Sequence, residues 1–201
     1  MNKIGQNGIL LIIDNQSTFI KKFKREFLSD QNFSYRTIDH NEPVVTRPGE
    51  KVAGLILSGG KGNPYEPLNL TADFVSLMNF DVPTLGFCLG YEIIAVAFGG
   101  RIRRMDTYVK KMLRVRITKT DDPIFRGLIS DEVVLRQQHQ FQVSKLPPGF
   151  VRLGESDQCD IEIIRHKDRP IYGFQSHPEV SGVNGLLIVR NFLHMCGFEV
   201  I

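Results

Sequence analysis

The sequence predicts an α/β protein with three layers, in which a mostly parallel sheet has helices on both faces and an antiparallel extension. Three observations support this fold class. Short apolar runs alternate with segments of helical length over the first hundred residues, which is typical of strand–helix–strand units. Glycine-rich turns follow two of these runs, at the carboxyl ends of strands where such folds bind ligands. From Arg101 to Gln175 the pattern changes to short strands and turns, which predicts the antiparallel extension.

The individual elements follow from hydrophobic periodicity and from their end signals. The predicted strands are 9–13, 34–38, 52–57, 82–87 and 169–175, and the predicted helices are 17–28, 72–78, 89–98 and 183–195. The first helix has an apolar face of Phe19, Ile20, Phe23 and Phe27. Gly99 and Gly100 end the helix that begins at Leu89.

Composition indicates a single domain that spans residues 1–201. The length of 201 residues is enough for a proper core, and contents of 42% hydrophobic and 23% charged residues are typical of soluble globular proteins. The apolar run Gly8–Ile13 is too short for a signal peptide or a membrane span, so no membrane association is expected. Three cysteines give neither an even disulfide framework nor a metal-binding spacing, which favours a reducing, cytoplasmic setting and no metal.

A candidate nucleophile lies in Gly86-Phe87-Cys88-Leu89-Gly90, between a buried strand and a helix. This arrangement is the cysteine analogue of the G-x-S-x-G elbow, whose glycines permit a strained turn that exposes the nucleophile. A helix N-terminus beneath the sulfur is expected to stabilise the thiolate. The alternative is a buried structural cysteine between glycines that allow close helix packing.

A candidate base lies in Gln175-Ser176-His177-Pro178-Glu179, at the end of a predicted strand. Two positions separate His177 from Glu179, so an extended backbone would direct both side chains to the same face. Glu179 would then accept a hydrogen bond from one ring nitrogen, and the other nitrogen would face the thiol.

With these segments, the chain resembles the class I, triad-type glutamine amidotransferases over essentially its whole length, which implies their flavodoxin-like fold. The resemblance implies that Cys88 is the nucleophile, that His177 is the general base and acid, and that Glu179 orients the histidine. It also implies an oxyanion site made by the backbone N–H groups of Leu89 and Gly60, the latter in the turn Ser58-Gly59-Gly60. No cofactor is implied.

The resemblance further implies a substrate site for glutamine. Gln138-His139-Gln140-Phe141 resembles the segment whose backbone amides hold the α-carboxylate, which assigns substrate binding to Gln140 and Phe141, with His139 orienting the segment. Glu92 stands where the family has glutamine. An ionised carboxylate accepts hydrogen bonds only, so Glu92 would hold the α-ammonium group and repel the α-carboxylate. Ser176 likewise replaces a large apolar residue.

No ATP-binding or acceptor domain is recognisable in the chain, so the resemblance implies a separate synthetase subunit that receives the ammonia. The segments 159–167 and 170–173 resemble free-standing glutaminase subunits of GMP synthase, and Ser58-Gly59-Gly60 agrees with them, so a GMP-synthase-like subunit is the favoured prediction. Asp14-Asn15 and Gly62-Asn63-Pro64 are instead closer to anthranilate and aminobenzoate synthase subunits. The sequence is also compatible with an amidotransferase for a specialised pathway, with a γ-glutamyl hydrolase and with a catalytically silent regulatory subunit.

Basic residues concentrate in one stretch of a chain whose net charge is only +3: Arg101, Arg103, Arg104, Lys110, Lys111, Arg114 and Arg116. Solvated strand faces and a docking surface for an acidic partner both fit this stretch. Nucleic-acid binding is not expected, since no recognised motif is present and aromatic residues are not interleaved with the basic ones. The turn Gly59-Gly60-Lys61-Gly62 lacks the spacing of a phosphate-binding P-loop.

Overall fold

Nine strands form one sheet in the computed structural model, which describes residues 8–66 and 70–200. In chain order the strands are β1 (Ile9–Asp14), β2 (Tyr35–Asp39), β3 (Val52–Leu57), β4 (Thr84–Phe87), β5 (Arg101–Ile117), β6 (Glu132–Lys145), β7 (Phe150–Glu155), β8 (Ile163–His166) and β9 (Ile171–Phe174). The helices are α1 (Thr18–Glu26), α2 (Thr71–Asn79), α3 (Leu89–Ala97) and α4 (Gly182–Met195). The strand order is β2-β1-β3-β4-β9-β8-β7-β5-β6; its first five members run parallel and the remainder pair antiparallel.

The side chains of β1 show how the sheet separates two apolar layers. Leu10 and Ile12 pack with the core beneath α1 and α4, whereas Leu11 and Ile13 pack with the core beneath α2 and α3. This alternation follows from the two-residue repeat of a strand, and the positions from Ile9 to Ile13 are all apolar because both faces of a parallel sheet are covered. The predicted three-layer α/β fold is confirmed.

Helix α1 illustrates how the sequence sets the element boundaries. The hydroxyl of Ser17 caps the helix by accepting a hydrogen bond from the backbone N–H of Phe19 at 3.1 Å. Ile20 and Phe23 are buried, as the predicted apolar face requires. The helix ends at Glu26, two residues before the predicted end, because residues 28–30 form a separate 3₁₀ turn.

The predicted antiparallel extension is confirmed; the prediction of short strands within it holds for β7 and β8 but is wrong for β5 and β6. Strands β5 and β6 are 17 and 14 residues long and form a paired ribbon. A register shift between Arg104 and Val109 interrupts the alternation of β5, so the sequence pattern looks like several shorter segments. Cys159 lies outside the strands, in a turn in which its N–H donates to the carbonyl of Ser156 at 3.3 Å.

The carboxyl ends of four parallel strands place their following residues at one edge of the sheet. Asn15 follows β1, Ser58 follows β3, Cys88 follows β4 and Gln175 follows β9. Ligands of open α/β sheets bind at this edge, so the fold brings the predicted catalytic segments together. Within the described ranges, no helix is long and apolar enough to cross a membrane.

Candidate active site

Cys88 occupies a strained turn between β4 and α3. Its φ of 48° and ψ of −104° lie where side chains other than glycine are rarely found. The backbone N–H of Cys88 donates to the carbonyl of Phe174 at 2.8 Å, which fixes the turn against β9. The flanking glycines allow close packing, since a Cβ on Gly86 would lie 2.6 Å from the carbonyl of Gly90. The elbow is therefore present, and the strained residue is the cysteine itself.

The thiol of Cys88 is shielded, because the residue is only 5% exposed and its Sγ donates to the carbonyl oxygen of Gln138 at 3.6 Å. Burial raises the pKa of this thiol well above its usual value, and the carboxylates of Glu92 and Glu179 add to the effect. The N–H of Leu89 is directed at the sulfur and acts in the opposite direction on the pKa. The helix N-terminus therefore helps to stabilise the thiolate as expected, through the N–H of Leu89, but burial and the acidic neighbours outweigh this contribution.

His177 and Glu179 form a buried pair at the end of β9. The Nδ1 atom of His177 lies 2.8 Å from Oε1 of Glu179, and both residues are 3% exposed. The expected extended backbone is wrong here, since the two side chains meet through a 3₁₀ turn over Pro178–Val180. The ring of Phe19 packs edge-on against the imidazole with a centroid distance of 4.6 Å. The pair holds Nδ1, which leaves Nε2 as the nitrogen for proton transfer.

Gly59 brings the histidine and the cysteine together. A Cβ on this residue would lie 2.6 Å from Cε1 of His177 and 3.5 Å from Cβ of Cys88. The backbone of the β3 turn therefore lies directly against both catalytic candidates. Gly60, the next residue, packs so closely on the carbonyl of Asn15 that a side chain there would overlap that oxygen.

A buried polar cluster that sequence reasoning missed holds this turn in place. The backbone N–H of Asn15 donates to Oγ of Ser58 at 2.8 Å, and its Nδ2 donates to the Ser58 carbonyl at 2.9 Å. The same Nδ2 contacts Oδ1 of Asp73 at 3.0 Å. Burial raises the pKa of Asp73 to about 7. The available signal was the position of Asn15, directly after a strand whose carboxyl end faces the site.

Glu92 lies in the first turn of α3, buried behind the nucleophile. Its Oε1 accepts a hydrogen bond from Nε2 of Gln175 at 2.9 Å, and burial raises its pKa to about 7. The structure thus places Glu92 against the segment that carries His177, where it acts on the charge state of Cys88. Its contact with a substrate stays a prediction.

A second buried carboxylate, Glu162, was not identified from the sequence. Its two carboxylate oxygens accept hydrogen bonds from Nε2 of Gln137 at 3.3 and 3.2 Å, and one of them also accepts a hydrogen bond from Oγ of Ser156 at 2.5 Å. Burial raises the pKa of Glu162 to about 7. Its carbonyl accepts from the backbone N–H of Gln175 at 2.8 Å. Glu162 therefore connects the end of β9 with the residue that precedes Gln138 in β6.

The predicted substrate segment lies within β6. Gln140 falls opposite the register shift of β5, so its backbone is outside the regular pairing that includes His139 and Phe141. Nδ1 of His139 lies 2.8 Å from the Phe141 carbonyl, and burial lowers the pKa of this histidine to about 4. A neutral His139 that supports the backbone around Gln140 agrees with the predicted orienting role. Among the described residues, no cluster of three or more His, Cys, Asp or Glu side chains is placed to hold a metal ion.

Comparison with known proteins identifies the family. The model of the class-I glutamine amidotransferases matches residues 11–196. The chain belongs to the class-I glutamine amidotransferase family. Among relatives of this amidotransferase, the A subunit of glutamine-hydrolyzing GMP synthase from Thermococcus kodakarensis is 33% identical over 194 residues, covering 94% of this chain and 99% of the relative. The protein of the same name from Methanosarcina mazei is 36% identical over 188 residues, covering 93% and 96% respectively.

Solved structures agree with this assignment of the amidotransferase. A crystal structure described as a putative GMP synthase A-subunit protein from Thermoplasma acidophilum superposes with a TM-score of 0.81 at 26% identity, covering 96% of each chain. A glutamine amidotransferase from Thermotoga maritima superposes with a TM-score of 0.71 at 19% identity, covering 96% of this chain and 95% of that one, which supports the fold. The fold of this chain is thus shared with these structures over nearly its whole length.

Proposed function

We propose that the chain hydrolyses the side-chain amide of glutamine with a Cys88–His177–Glu179 triad and supplies the ammonia to a separate synthetase subunit. The observation that carries this proposal is the meeting of three segments around Gly59. A single Cβ at that position would touch both His177 and Cys88, and His177 is already hydrogen-bonded to Glu179. A nucleophile, a base and a group that orients the base are the parts needed for acyl transfer.

The reaction begins from a neutral thiol. Burial keeps Cys88 protonated, so its proton passes to Nε2 of His177 as the thiolate attacks the amide carbon of glutamine. The N–H groups of Leu89 and Gly60 stabilise the oxyanion of the tetrahedral intermediate, and such a donor contributes about 3–4 kcal/mol. His177 protonates the leaving ammonia, and a thioester remains. Water, activated by His177, then releases glutamate and restores the thiol. Glu179 holds the imidazole and stabilises its charged form.

The substrate's amino-acid end is proposed to bind beside β6. The backbone amides of Gln140 and Phe141 would receive the α-carboxylate, and the displacement of Gln140 from regular pairing supports a free donor there. Glu92 would contribute to binding of the α-ammonium group.

The proposed partner is the synthetase subunit of a GMP synthase, because relatives that share about a third of their residues with nearly the whole chain are named as the A subunit of that enzyme. The chemistry of a glutaminase needs no cofactor, and none is proposed. Three free cysteines support a reducing compartment, so we propose a cytoplasmic location.

Ammonia release from glutamine tests the proposal, with and without the synthetase subunit of GMP synthase from the source organism. Cys88→Ala is expected to abolish the release, whereas Cys196→Ala, which removes another buried thiol, retains it. Release that persists in Cys88→Ala would contradict the triad. Activity on γ-glutamyl conjugates, with none on glutamine beside the synthetase, would instead favour a γ-glutamyl hydrolase.

A further inference from the structure

Eight side chains share the outer face of the long β5–β6 ribbon. The cross-strand pairs are Lys110 with Gln138, Met112 with Arg136, Arg114 with Val134 and Arg116 with Glu132, and directly paired residues point to the same side of a sheet. We call these eight residues the ribbon face, which carries four basic side chains and one acidic side chain. The opposite side of the ribbon carries Val115, Val133 and Leu135, which are buried in the core.

The ribbon face combines exposed apolar groups with positive charge. Met112 and Val134 are 46% and 47% exposed, and they are diagonal neighbours at its centre. Lys110 and Arg136 form no ion pair with any of the residues described, and Arg114 pairs only at 3.6 Å with Glu132 while remaining 79% exposed. An apolar centre with a charged margin is typical of a protein-binding surface.

The ribbon face is also continuous with the active site. The carbonyl of Arg136 accepts the backbone N–H of His177 at 2.8 Å, and the carbonyl of Gln138 accepts Sγ of Cys88 at 3.6 Å. Two residues therefore present side chains on the ribbon face while their backbones contact the two catalytic candidates. A molecule bound to this face would act directly on the wall of the site.

We propose that the ribbon face is the docking surface for an acidic patch of the ammonia-accepting synthetase, an inference that rests on the proposed function. Ammonia formed at Cys88 has to enter the partner before it reaches solvent, so the partner must cover the surface beside the nucleophile. The positive charge of the ribbon face selects an acidic patch. Docking also brings the partner close to the Gln138 carbonyl, which accepts the hydrogen bond from the Cys88 thiol.

Matched charge reversals on the two sides of β5 test this surface. Lys110→Glu lies on the ribbon face, and Lys111→Glu is the control, since this neighbouring exposed lysine pairs with Gln137 on the opposite side. Calorimetric titration with the purified synthetase subunit of GMP synthase measures the dissociation constant. Lys110→Glu is expected to raise it by roughly tenfold or more, because like charges across an interface repel. Lys111→Glu is expected to leave it within about twofold.

Further measurements separate the possible results. Ammonia release from glutamine without partner is measured for each variant, and circular dichroism checks folding. Equal effects of the two reversals, or no effect of Lys110→Glu, would overturn the docking surface while leaving the glutaminase intact. If the wild-type protein neither binds the synthetase nor releases ammonia, both proposals fail. Tighter binding of the ribbon face to duplex DNA than to the synthetase would also overturn it.

Discussion

Replacement of Glu92 by glutamine probes a buried carboxyl group that acts on the charge state of Cys88. The carboxyl group of Glu92 is buried beside Gln175, and its pKa rises from the ordinary value of 4.5 to about 7. The folded protein therefore binds this proton more tightly than the unfolded chain does. As pH rises above 4.5, the unfolded state loses its proton first, so the free energy of unfolding falls until the folded group ionises near pH 7.

The size of this effect follows from the shift. At about 1.4 kcal/mol per pKa unit, the ionised Glu92 destabilises the folded protein by roughly 3 kcal/mol above pH 7. Glu92→Gln removes the charge and keeps an acceptor for Nε2 of Gln175. Its new amide can also donate to Oε1 of Gln175, which has no hydrogen-bond partner among the described groups. The variant is expected to be more stable than the wild type above pH 7 and similar to it near pH 5.

Urea unfolding followed by circular dichroism at about pH 5 and pH 8 measures the difference. Asp73 and Glu162 also have pKa values raised to about 7, but both residues remain in the variant. The difference between the unfolding free energies of the two proteins at each pH therefore reports on Glu92. Glu199→Gln, an exposed change of the same type, is the control. Identical pH dependence in wild type and Glu92→Gln would refute the reasoning, since Glu92 would then ionise equally easily in both states.

Three other predictions concern catalysis. Gly59→Ala is expected to abolish ammonia release, because its methyl group would lie 2.6 Å from Cε1 of His177. Gly62→Ala is expected to retain activity, because its methyl group would meet only the flexible ends of the Leu89 and Leu70 side chains, at 3.2 and 3.9 Å, and equal rates for the two variants would contradict the packing. Glu179→Gln is expected to lower kcat by about 10³- to 10⁴-fold with a smaller change in KM, and a steady-state assay with unchanged kcat would exclude an orienting role. Iodoacetamide is expected to alkylate Cys88 more slowly in the native protein than in the unfolded chain near pH 8, which mass spectrometry can follow; equal rates would show an accessible thiol.

Local sequence signals predicted the strand and helix around Cys88 because these elements depend on short-range patterns. The apolar run before Cys88 and the glycines beside it specify a strand, a tight turn and a helix without reference to distant residues. The same holds for the segment that ends in His177. The parallel order of their strands then places both at one edge of the sheet, as expected for this fold class.

Features that depend on long-range packing were not accessible in this way. Glu162 becomes buried when β8 packs beside β9. Its hydrogen-bond partner Gln137 lies in β6, whose full length was not predicted from the sequence. The net effect on the thiol of Cys88 likewise depends on how far water is excluded and on where Glu92 and Glu179 lie after folding. The position of Cys88 at the N-terminus of α3 predicts only the contribution that lowers the pKa of its thiol, not the contributions that raise it.

The shielding of Cys88 also determines how the protein withstands oxidants. Peroxides react with thiolates, and a neutral sulfur that is 5% exposed offers neither the reactive form nor an open approach. The resting protein is therefore expected to protect this thiol from oxidation. Under the proposed mechanism, sensitivity to peroxide would arise during turnover, when the thiol leaves the Gln138 carbonyl and loses its proton. Glutamine and the partner together would then set the period in which the sulfur is at risk of irreversible damage.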